Sequence, residues 1–257
     1  MFEEFKDKRV LITGASKGLG WVCAQYFEKW GSQLIITGRI PEKLIELKGE
    51  FSDPSRHLSV VADLINPEEI KRLVNEGKEF LGGIDIIIHA LGGGYGFKEP
   101  LLSWEQFTML HQVNFSAAAE INRLLIPEMS QRQAGNVIHI CSVSSQEATG
   151  SVGYNTIKAA LAGYVRSLGR EMAESGVVIT GILPGAFYAP GNSWRRLDSQ
   201  KPEVVQQFMD ERLPRKKIAE ADELIPLIAL LAGQGASMMA GSCVPIDAGE
   251  GIAYSPT

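Results

Sequence analysis

The sequence predicts an α/β fold built around one parallel β-sheet, and two observations lead to that prediction. Short apolar runs rich in β-branched residues recur at positions 9–13, 33–37, 57–61, 84–90, 136–141, 177–183 and 243–246. These runs are continuously apolar, which is typical of strands that are buried on both faces. The segments between them are long enough for helices, so strands and helices alternate along the chain. The expected architecture is a doubly wound, Rossmann-like sheet with helices on both faces.

Length and charge narrow the class of protein. With 257 residues and a hydrophobic content of 45%, the chain can bury one large core, and we expect residues 1–257 to form a single domain. The formal charge of −5 is spread along the chain without a basic stripe, so neither nucleic acid nor a membrane is expected as a partner. The acidic start is unlike a secretory signal, and no apolar run has the roughly 18 residues that span a bilayer. We therefore expect a cytoplasmic protein.

The cysteines and histidines do not indicate a metal site. Cys23, Cys141 and Cys243 are odd in number and far apart, whereas a zinc site or a disulfide framework needs paired, closely spaced ligands. We interpret all three as small buried hydrophobic residues. The histidines show no ligand spacing either, so no metal is predicted.

The first apolar run leads into a glycine-rich turn, TGASKGLG, and then into a run that can form a helix, WVCAQYFEKW. A strand, a tight turn and a helix N-terminus bring backbone N–H groups together where a pyrophosphate can bind. Gly14, Gly18 and Gly20 are therefore candidate residues for binding a dinucleotide. The alternative is a plain strand-to-helix turn that needs positive φ angles.

The end of the second apolar run indicates which dinucleotide is bound. Sites for NAD commonly place an acidic side chain here for the ribose 2′-hydroxyl, but this chain reads ITGR, with Gly38 followed by Arg39. An arginine can bind a 2′-phosphate, and Lys17 in the glycine loop adds a second cation. The alternative is that both cations are solvated surface charges. We favour NADP(H) as the cofactor.

Residues 154–158 read YNTIK. Positions four apart share one face of a helix, so Lys158 is expected beside Tyr154. The pair alone is weak evidence for a catalytic site.

Several segments together give the chain a resemblance to the short-chain dehydrogenase/reductase family, in its branch of about 250 residues. The T-G-x-x-x-G-x-G spacing from Thr13 to Gly20 and the YNTIK segment carry it first. VVADL, HQVNF, NVIHICSVSS, GILPGAF and MAGSCVPIDAGEG match further family segments in the same order. The chain is similar to 3-oxoacyl-carrier-protein reductases. The resemblance implies that Tyr154 and Lys158 are catalytic.

The resemblance also implies roles for individual residues. Tyr154 is the general acid/base, Lys158 binds the nicotinamide ribose, Ser142 holds the substrate oxygen, and Asn114 anchors a water that links Lys158 to solvent. Asp63 bonds the adenine amino group. The implied catalytic residues are Asn114, Ser142, Tyr154 and Lys158. The implied cofactor-binding residues are Gly14, Ser16, Lys17, Gly18, Leu19, Gly20, Arg39, Asp63, Leu64, Ala90, Gly92, Tyr154, Lys158, Pro184, Gly185 and Phe187.

Three positions depart from the family pattern. His89 replaces an asparagine that normally steadies the central sheet, and Ala189 stands where a threonine often binds the carboxamide of the cofactor. Ser142 precedes Tyr154 by 12 positions rather than the frequent 13, which leaves Ser144 and Ser145 as alternatives. Ser142 is preferred because it follows the strand.

Residues 184–202 form the longest stretch without a clear pattern, and we expect them to be an irregular active-site lid. Trp194, Arg195 and Arg196 lie in it. They could grip an anionic or planar group of a substrate, or they could pin the lid to the protein surface.

The function implied by the resemblance is that of an NADP(H)-dependent oxidoreductase that interconverts a secondary alcohol and a ketone, with a small-molecule substrate. A reductase or dehydrogenase of a sugar or a secondary metabolite is an alternative, suggested by the unusual HALGGGYGF segment. A non-catalytic NADP(H)-binding regulator is a third, but such a module would not need Ser142, Tyr154 and Lys158. The resemblance also implies a homo-oligomer, a tetramer or a dimer, formed through the helices that contain Asn114 and Tyr154.

Overall fold

The computed structural model describes residues 2–253. Its strands are β1 Arg9–Thr13, β2 Gln33–Gly38, β3 Leu58–Val61, β4 Ile86–His89, β5 Gly135–Ile140, β6 Val177–Pro184, β7 Phe187–Tyr188, β8 Ala219–Glu220 and β9 Cys243–Ile246. One sheet has seven strands in the order β3-β2-β1-β4-β5-β6-β9, and every neighbouring pair is parallel. All the apolar runs identified in the sequence form strands of this sheet. The predicted fold class is confirmed.

Helices fill the segments between the strands. They are α1 Gly18–Lys29, α2 Pro41–Gly49, α3 Pro67–Leu81, α4 Trp104–His111, α5 Ala117–Gln131, α6 Val152–Met172, α7 Ser193–Gln200, α8 Pro202–Arg212 and α9 Ile225–Ala232. Several begin as local chemistry dictates, because proline occupies the first helical position of α2, α3 and α8. The side chain of Asn66 caps α3, and a capping box formed by Ser103 and Gln106 begins α4.

The two faces of the sheet bury separate apolar cores, as a doubly wound sheet requires. Val10 and Ile12 of β1 point into a core shared with α1, α2 and α9. Leu11, between them, points into a core shared with α3, α5 and α6. This alternation along a strand that is apolar throughout is the pattern of a strand covered on both faces.

The topology places a crevice at one edge of the sheet. β1 pairs with β2 on one side and with β4 on the other, so the chain order reverses between β1 and β4. In open α/β sheets, ligands bind outside the carboxyl ends of the strands at this reversal. The glycine loop follows β1 directly and therefore lies at the mouth of this crevice.

The expectation of an irregular stretch at 184–202 is wrong in part. It contains β7 and α7, and α8 begins at its end. Pro and Gly content suggested irregular backbone, but the Asn192 side chain caps α7 by accepting from the Arg195 N–H at 2.9 Å. β7 pairs with β8 in a second, two-stranded sheet, which the sequence did not predict. The interpretation of the cysteines as buried holds for Cys23 and Cys141, whereas Cys243 is half-buried.

Within residues 2–253, no helix is long and apolar enough to cross a membrane. The same range contains no group of three or more His, Cys, Asp or Glu side chains that could hold a metal ion. The prediction of a single domain over residues 1–257 stays a prediction, and its two ends lie outside the described residues.

Candidate active site

The residues predicted to form the site meet at the carboxyl edge of the sheet, although they are spread along the chain. The positions are Gly14 after β1, Arg39 after β2, Asp63 and Leu64 after β3, Ala90 and Gly92 after β4, Ser142 after β5, and Pro184 at the end of β6. Asn114, Tyr154 and Lys158 come from the helical segments that follow β4 and β5.

The glycine loop has a backbone geometry that favours glycine. Gly14 and Gly18 have φ angles of +68° and +66°, in the left-handed region. A Cβ atom placed on Gly20 would lie 2.7 Å from the carbonyl oxygen of Gly14, so the glycine allows α1 to pack closely against the turn. Lys17, at the N-cap of α1, provides no side-chain hydrogen bond to the helix. The N–H of Gly18 is taken by the carbonyl oxygen of Pro190 at 2.7 Å, and the amide groups that follow it in the first turn of α1 suit a pyrophosphate. Ser16 and Leu19 are buried within this loop.

One cation, Arg39, follows β2 directly, and no acidic residue stands there. Arg39 is exposed, and its Nη2 donates to the hydroxyl oxygen of Tyr95 at 3.3 Å. Its guanidinium carbon lies 6.0 Å from the centre of the Tyr95 ring. A Cβ atom placed on Gly38 would lie 2.8 Å from Oγ of Ser16, so Gly38 and Ser16 fit together tightly. This chemistry suits a 2′-phosphate and leaves no carboxylate for a ribose 2′-hydroxyl at Gly38.

Asp63 and Leu64 follow β3. The N–H of Asp63 donates to Oε2 of Glu69 at 2.8 Å, and Oδ1 of Asp63 accepts from the N–H of Ile65 at 3.5 Å. Leu64 is buried. These local bonds hold the loop at the adenine end of the predicted dinucleotide site.

Asn114 lies in a π-helical turn, Gln112–Ser116, between α4 and α5. Its Nδ2 donates to the carbonyl oxygens of Gly93 and Leu110, each at 3.0 Å, and its Oδ1 accepts from the N–H of Gly93 at 2.9 Å. A Cβ atom placed on Gly92 would lie 2.8 Å from this Oδ1 and 3.3 Å from Nζ of Lys158. Single π-turns within helices are common at functional sites. Asn114 thus fixes the loop after β4 beside the lysine.

Lys158 is buried next to Tyr154, as the helical spacing predicted. Only 3% of Lys158 is exposed, its Nζ donates to the carbonyl oxygen of Ile140 at 2.8 Å, and Nζ lies 5.7 Å from the centre of the Tyr154 ring. α6 holds the pair because Gly153, Ile157, Leu161 and Val165 bury one side of the helix at every fourth position. The cation is thus kept beside the phenol and away from bulk solvent.

The ring of Tyr154 lies between two glycines. A Cβ atom on Gly94 would be 3.7 Å from Cδ2 of the tyrosine, and one on Gly150 would be 3.1 Å from Cδ1. These two loops therefore border the ring on both edges.

Ser142 follows β5 and caps a short 3₁₀ turn, Val143–Ser145. Its Oγ accepts from the N–H of Ser144 at 3.1 Å, which leaves the Ser142 hydroxyl hydrogen for a substrate oxygen. The Ser145 hydroxyl instead donates to the Ser142 carbonyl oxygen at 2.6 Å, and the Ser144 hydroxyl is paired with Oγ1 of Thr149 at 2.9 Å. These bonds favour Ser142 over its two neighbours, and its role stays a prediction.

The segment after β6 is held by a buried carboxyl group. Pro184 ends the strand, the N–H of Gly185 donates to the carbonyl oxygen of Ile246 at 3.3 Å, and the N–H of Ala186 donates to Oε2 of Glu250 at 2.6 Å. Burial raises the pKa of Glu250 above its ordinary value. Phe187 lies in β7 and is half-buried. The methyl group of Ala189 is buried and cannot donate to a carboxamide, so that departure from the family pattern stands.

His89 has bonds of its own in place of those of the family's asparagine. Its Nε2 is 2.9 Å from Oδ1 of Asn122, and Nδ2 of Asn122 is 3.2 Å from Nε2 of His139 and from the hydroxyl of Tyr164. The two imidazole rings stack with centres 4.6 Å apart. Burial lowers the pKa of His89 to about 4 and that of His139 well below its ordinary value. This neutral, hydrogen-bonded group steadies β4 and β5 beneath the site.

Side chains of α7 contact other parts of the protein. The rings of Trp194 and Phe208 pack with centres 4.4 Å apart, and both Oε atoms of Glu220 accept from Nη2 of Arg195 at 2.7 Å. Trp194 and Arg195 are therefore bound to the protein itself, which supports the pinning alternative for these two residues.

Some residues of the site were missed by the sequence analysis. Tyr95 contacts Arg39, and Asn122 joins the two buried histidines. The glycine-rich GGGYGF segment was a signal that the backbone bends sharply there, because Gly93, Tyr95 and Gly96 all have positive φ angles. Nothing in the local sequence identified Asn122, which depends on the packing of α5 against the sheet.

The chain is similar to known dehydrogenases and reductases in both sequence and structure. The family model described as short chain dehydrogenase matches residues 8–200. A 3-oxoacyl-[acyl-carrier-protein] reductase, MabA, of Mycobacterium avium is 26% identical over 251 residues, covering 97% of this chain and 92% of that protein. A glucose 1-dehydrogenase of Gluconobacter oxydans is 28% identical over 254 residues, covering 96% and 93%. The crystal structure of L-sorbose reductase from Gluconobacter frateurii, complexed with NADPH and L-sorbose, has a TM-score of 0.90 and 27% identity, and covers 99% of this chain and 100% of that one.

Proposed function

The chain belongs to the short-chain dehydrogenase family, and from this premise we propose that it transfers a hydride between NADP(H) and a secondary alcohol or ketone, with Tyr154 as general acid/base. One observation carries the proposal. The ammonium group of Lys158 is buried 5.7 Å from the Tyr154 ring centre, at the carboxyl edge of the sheet where the glycine loop also lies. A buried cation beside a half-buried phenol is an arrangement that suits proton transfer at neutral pH.

A bound nicotinamide supplies or accepts the hydride, and the chain's own residues handle the oxygen of the substrate. In the direction of reduction, Ser142 donates a hydrogen bond to the carbonyl oxygen and holds it near the phenol. Tyr154 then donates its proton to that oxygen as the carbon is reduced to an alcohol. The resulting phenolate is stabilised by the ammonium group of Lys158. In the direction of oxidation, the phenolate accepts the proton of the alcohol.

The residues present fit NADP(H). Gly14, Gly18 and Gly20 allow the close approach of a pyrophosphate, and Lys17 and Arg39 offer charge to a 2′-phosphate. Asp63 and Leu64 would line the adenine, and the nicotinamide end would contact Ala90, Gly92, Pro184, Gly185 and Phe187. Asn114 would act on this end by holding the Gly93 backbone next to Lys158.

A sugar or polyol is a second candidate class of substrate. L-sorbose reductase and glucose 1-dehydrogenase are each aligned with nearly the whole chain. The loop that borders Tyr154 also carries hydroxyl groups, with Ser144 and Thr149 paired at 2.9 Å. Such groups can exchange hydrogen bonds with substrate hydroxyls more readily than with an acyl chain.

We further propose that the protein is a cytoplasmic homodimer or homotetramer. The exposed apolar side chains of Leu101, Trp104 and Val152 support association through α4 and α6, because they are 91%, 83% and 48% exposed. Sedimentation of the purified protein, with Trp104→Glu beside the wild type, tests this. A monomeric wild type would refute it.

A substrate panel tests the function. Purified protein is mixed with NADPH or NADH and with ketoses, a 3-oxoacyl thioester or simple cyclic ketones, and the loss of reduced cofactor is followed by absorbance against a reaction without substrate. We expect turnover of at least one ketone and a higher kcat/KM with NADPH than with NADH. Absence of turnover across the panel in both directions would refute the proposal.

A further inference from the structure

Cations from three separate segments surround the glycine loop. Lys17 lies in the loop itself, Arg39 follows β2, and Arg196 lies in α7. Among residues 2–253, none of the three has an acidic side chain within ion-pair distance. Surface cations are usually interspersed with acids, so an unpaired group of this kind suits an anionic ligand.

The segment before α7 packs directly on the glycine loop. The carbonyl oxygen of Pro190 accepts from the N–H of Gly18 at 2.7 Å. A Cβ atom placed on Gly191 would lie 3.7 Å from Cβ of Lys17. Nη1 of Arg196 donates to the carbonyl oxygen of Gly191 at 2.7 Å, which holds the guanidinium on the side of the loop.

The two neighbouring arginines of α7 have different surroundings. Arg195 is neutralised by Glu220, whose Oε atoms both lie 2.7 Å from its Nη2, and its guanidinium lies 4.2 Å from the centre of the Tyr188 ring. Arg196 has a backbone carbonyl oxygen, and not a carboxylate, as its hydrogen-bond partner. Adjacent positions in the same helix thus give one arginine that is already occupied and one that is able to bind an anion.

The positive charges of Lys17, Arg39 and Arg196 repel one another. Partial burial, together with the positive charges of Arg196 and Arg39, lowers the pKa of Lys17 below its ordinary value. An anion placed among the three would turn this repulsion into attraction, and a phosphate monoester carries nearly two negative charges at neutral pH.

We propose that Arg196 binds the 2′-phosphate of NADP(H) together with Lys17 and Arg39. This inference rests on the proposed function, since it assigns a third residue to the cofactor site. It also gives α7 a second role. Trp194 and Leu197 of this helix pack on the small apolar cluster formed by Ala186, Val205, Leu213 and Ile218. The contact would therefore connect the bound cofactor to the segment that follows the nicotinamide end of the site.

Equilibrium binding tests the proposal without any turnover. The dissociation constants of 2′-AMP, 5′-AMP, NADPH and NADH are measured by calorimetry for the full-length wild type, Arg196→Gln, Arg196→Lys and the matched control Arg195→Gln. Because Arg196→Gln removes one charge-assisted contact, the dissociation constants of 2′-AMP and NADPH should rise roughly tenfold. Binding of 5′-AMP and NADH should change by less than about twofold, Arg196→Lys should recover part of the loss, and Arg195→Gln should leave the NADPH/NADH ratio of affinities unchanged.

The outcomes separate this inference from the proposed function. If Arg196→Gln weakened the binding of NADPH and NADH equally, the inference would be overturned, because the residue would then not recognise the 2′-phosphate. An effect of Arg195→Gln on the ratio as large as that of Arg196→Gln would also overturn it. If the wild type itself binds NADH more tightly than NADPH, the proposed cofactor is wrong and the inference falls with it. Circular dichroism verifies that each variant is folded, and Arg196→Lys supplies the test should Arg196→Gln not fold.

Discussion

Replacement of Arg39 by alanine removes the cation that follows β2 and leaves the backbone of the cofactor site in place. Arg39 is exposed and is held by one hydrogen bond from its Nη2 to the Tyr95 hydroxyl, at 3.3 Å. A charge-assisted contact with a 2′-phosphate contributes about 1.5 to 3 kcal/mol, and exposure to solvent favours the lower end of that range. Since about 1.4 kcal/mol corresponds to a factor of ten, Arg39→Ala should raise the KM for NADPH by roughly ten- to a hundredfold.

The complementary change introduces an acid at position 38. The sequence alone predicts that the double variant Gly38→Asp with Arg39→Ala prefers NADH, because the new carboxylate can accept a hydrogen bond from a ribose 2′-hydroxyl. The structure adds a condition, since a Cβ atom on Gly38 would lie 2.8 Å from Oγ and 2.9 Å from Cβ of Ser16. Ser16→Gly should therefore be combined with the other two changes. We expect this triple variant to prefer NADH and the double variant to be less stable.

Steady-state kinetics with both cofactors, at one fixed substrate concentration and two salt concentrations, measure these effects. The KM for NADH should barely change in Arg39→Ala, and the loss for NADPH should shrink at high salt because screening weakens the contact in the wild type. A wild type with a higher kcat/KM for NADH than for NADPH would refute the reasoning. Arg39 and Lys17 would then be solvated surface charges.

Other predictions concern the interior of the site. Lys158→Met should lower kcat and raise the Kd for NADPH, and unchanged values would contradict its position beside the phenol. Gly92→Ala should lower kcat, because the new Cβ would lie 2.8 Å from Oδ1 of Asn114, whereas Gly163→Ala, which meets no atom within 4 Å, should be silent in the same assay. Burial lowers the pKa values of His89 and His139, so protons bind the unfolded chain more readily than the folded one. The free energy of unfolding should therefore decrease as the pH falls from 6.5, the ordinary pKa of histidine, towards about 4, the pKa of His89 in the fold. Urea titrations at several pH values should show that the free energy of unfolding decreases less steeply with falling pH in His89→Asn than in the wild type. Identical pH dependences of the two proteins would contradict this explanation.

The sheet could be predicted from the sequence because its strands are buried on both faces and therefore read as continuous apolar runs. The same pattern places Gly14, Asp63 and Ser142 at one edge of the sheet, because each follows a strand and the carboxyl ends of parallel strands meet there. The roles of Asp63 and Ser142 come from the resemblance to the family and stay predictions. Lys158 beside Tyr154 required only the period of a helix. Each of these placements follows from a local rule, either the apolar pattern of a buried strand or the period of a helix, and the tertiary structure agrees with it.

Other features depend on contacts between distant segments. Asn122 joins His89 and His139 only because α5 packs across β4 and β5. Arg196 is held to the Gly191 carbonyl oxygen, next to the Pro190 carbonyl oxygen that accepts from the N–H of Gly18 in the glycine loop. The segment around α7 looked irregular because proline and glycine are frequent there, although one asparagine cap was enough to begin a helix. Such pairings leave no periodic trace in a single sequence.

The proton-donating role of Tyr154 is tested most directly by Tyr154→Phe, because the ring and its packing between Gly94 and Gly150 remain while the hydroxyl is lost. The measurement pairs single-turnover reduction of the preferred ketone with calorimetric titration of NADPH. We expect the Kd for NADPH to stay within about twofold and the rate of hydride transfer to fall by roughly 10²- to 10⁴-fold, the usual effect of removing a general acid. Retention of more than about a tenth of the wild-type rate would contradict this role and the mechanism that depends on it.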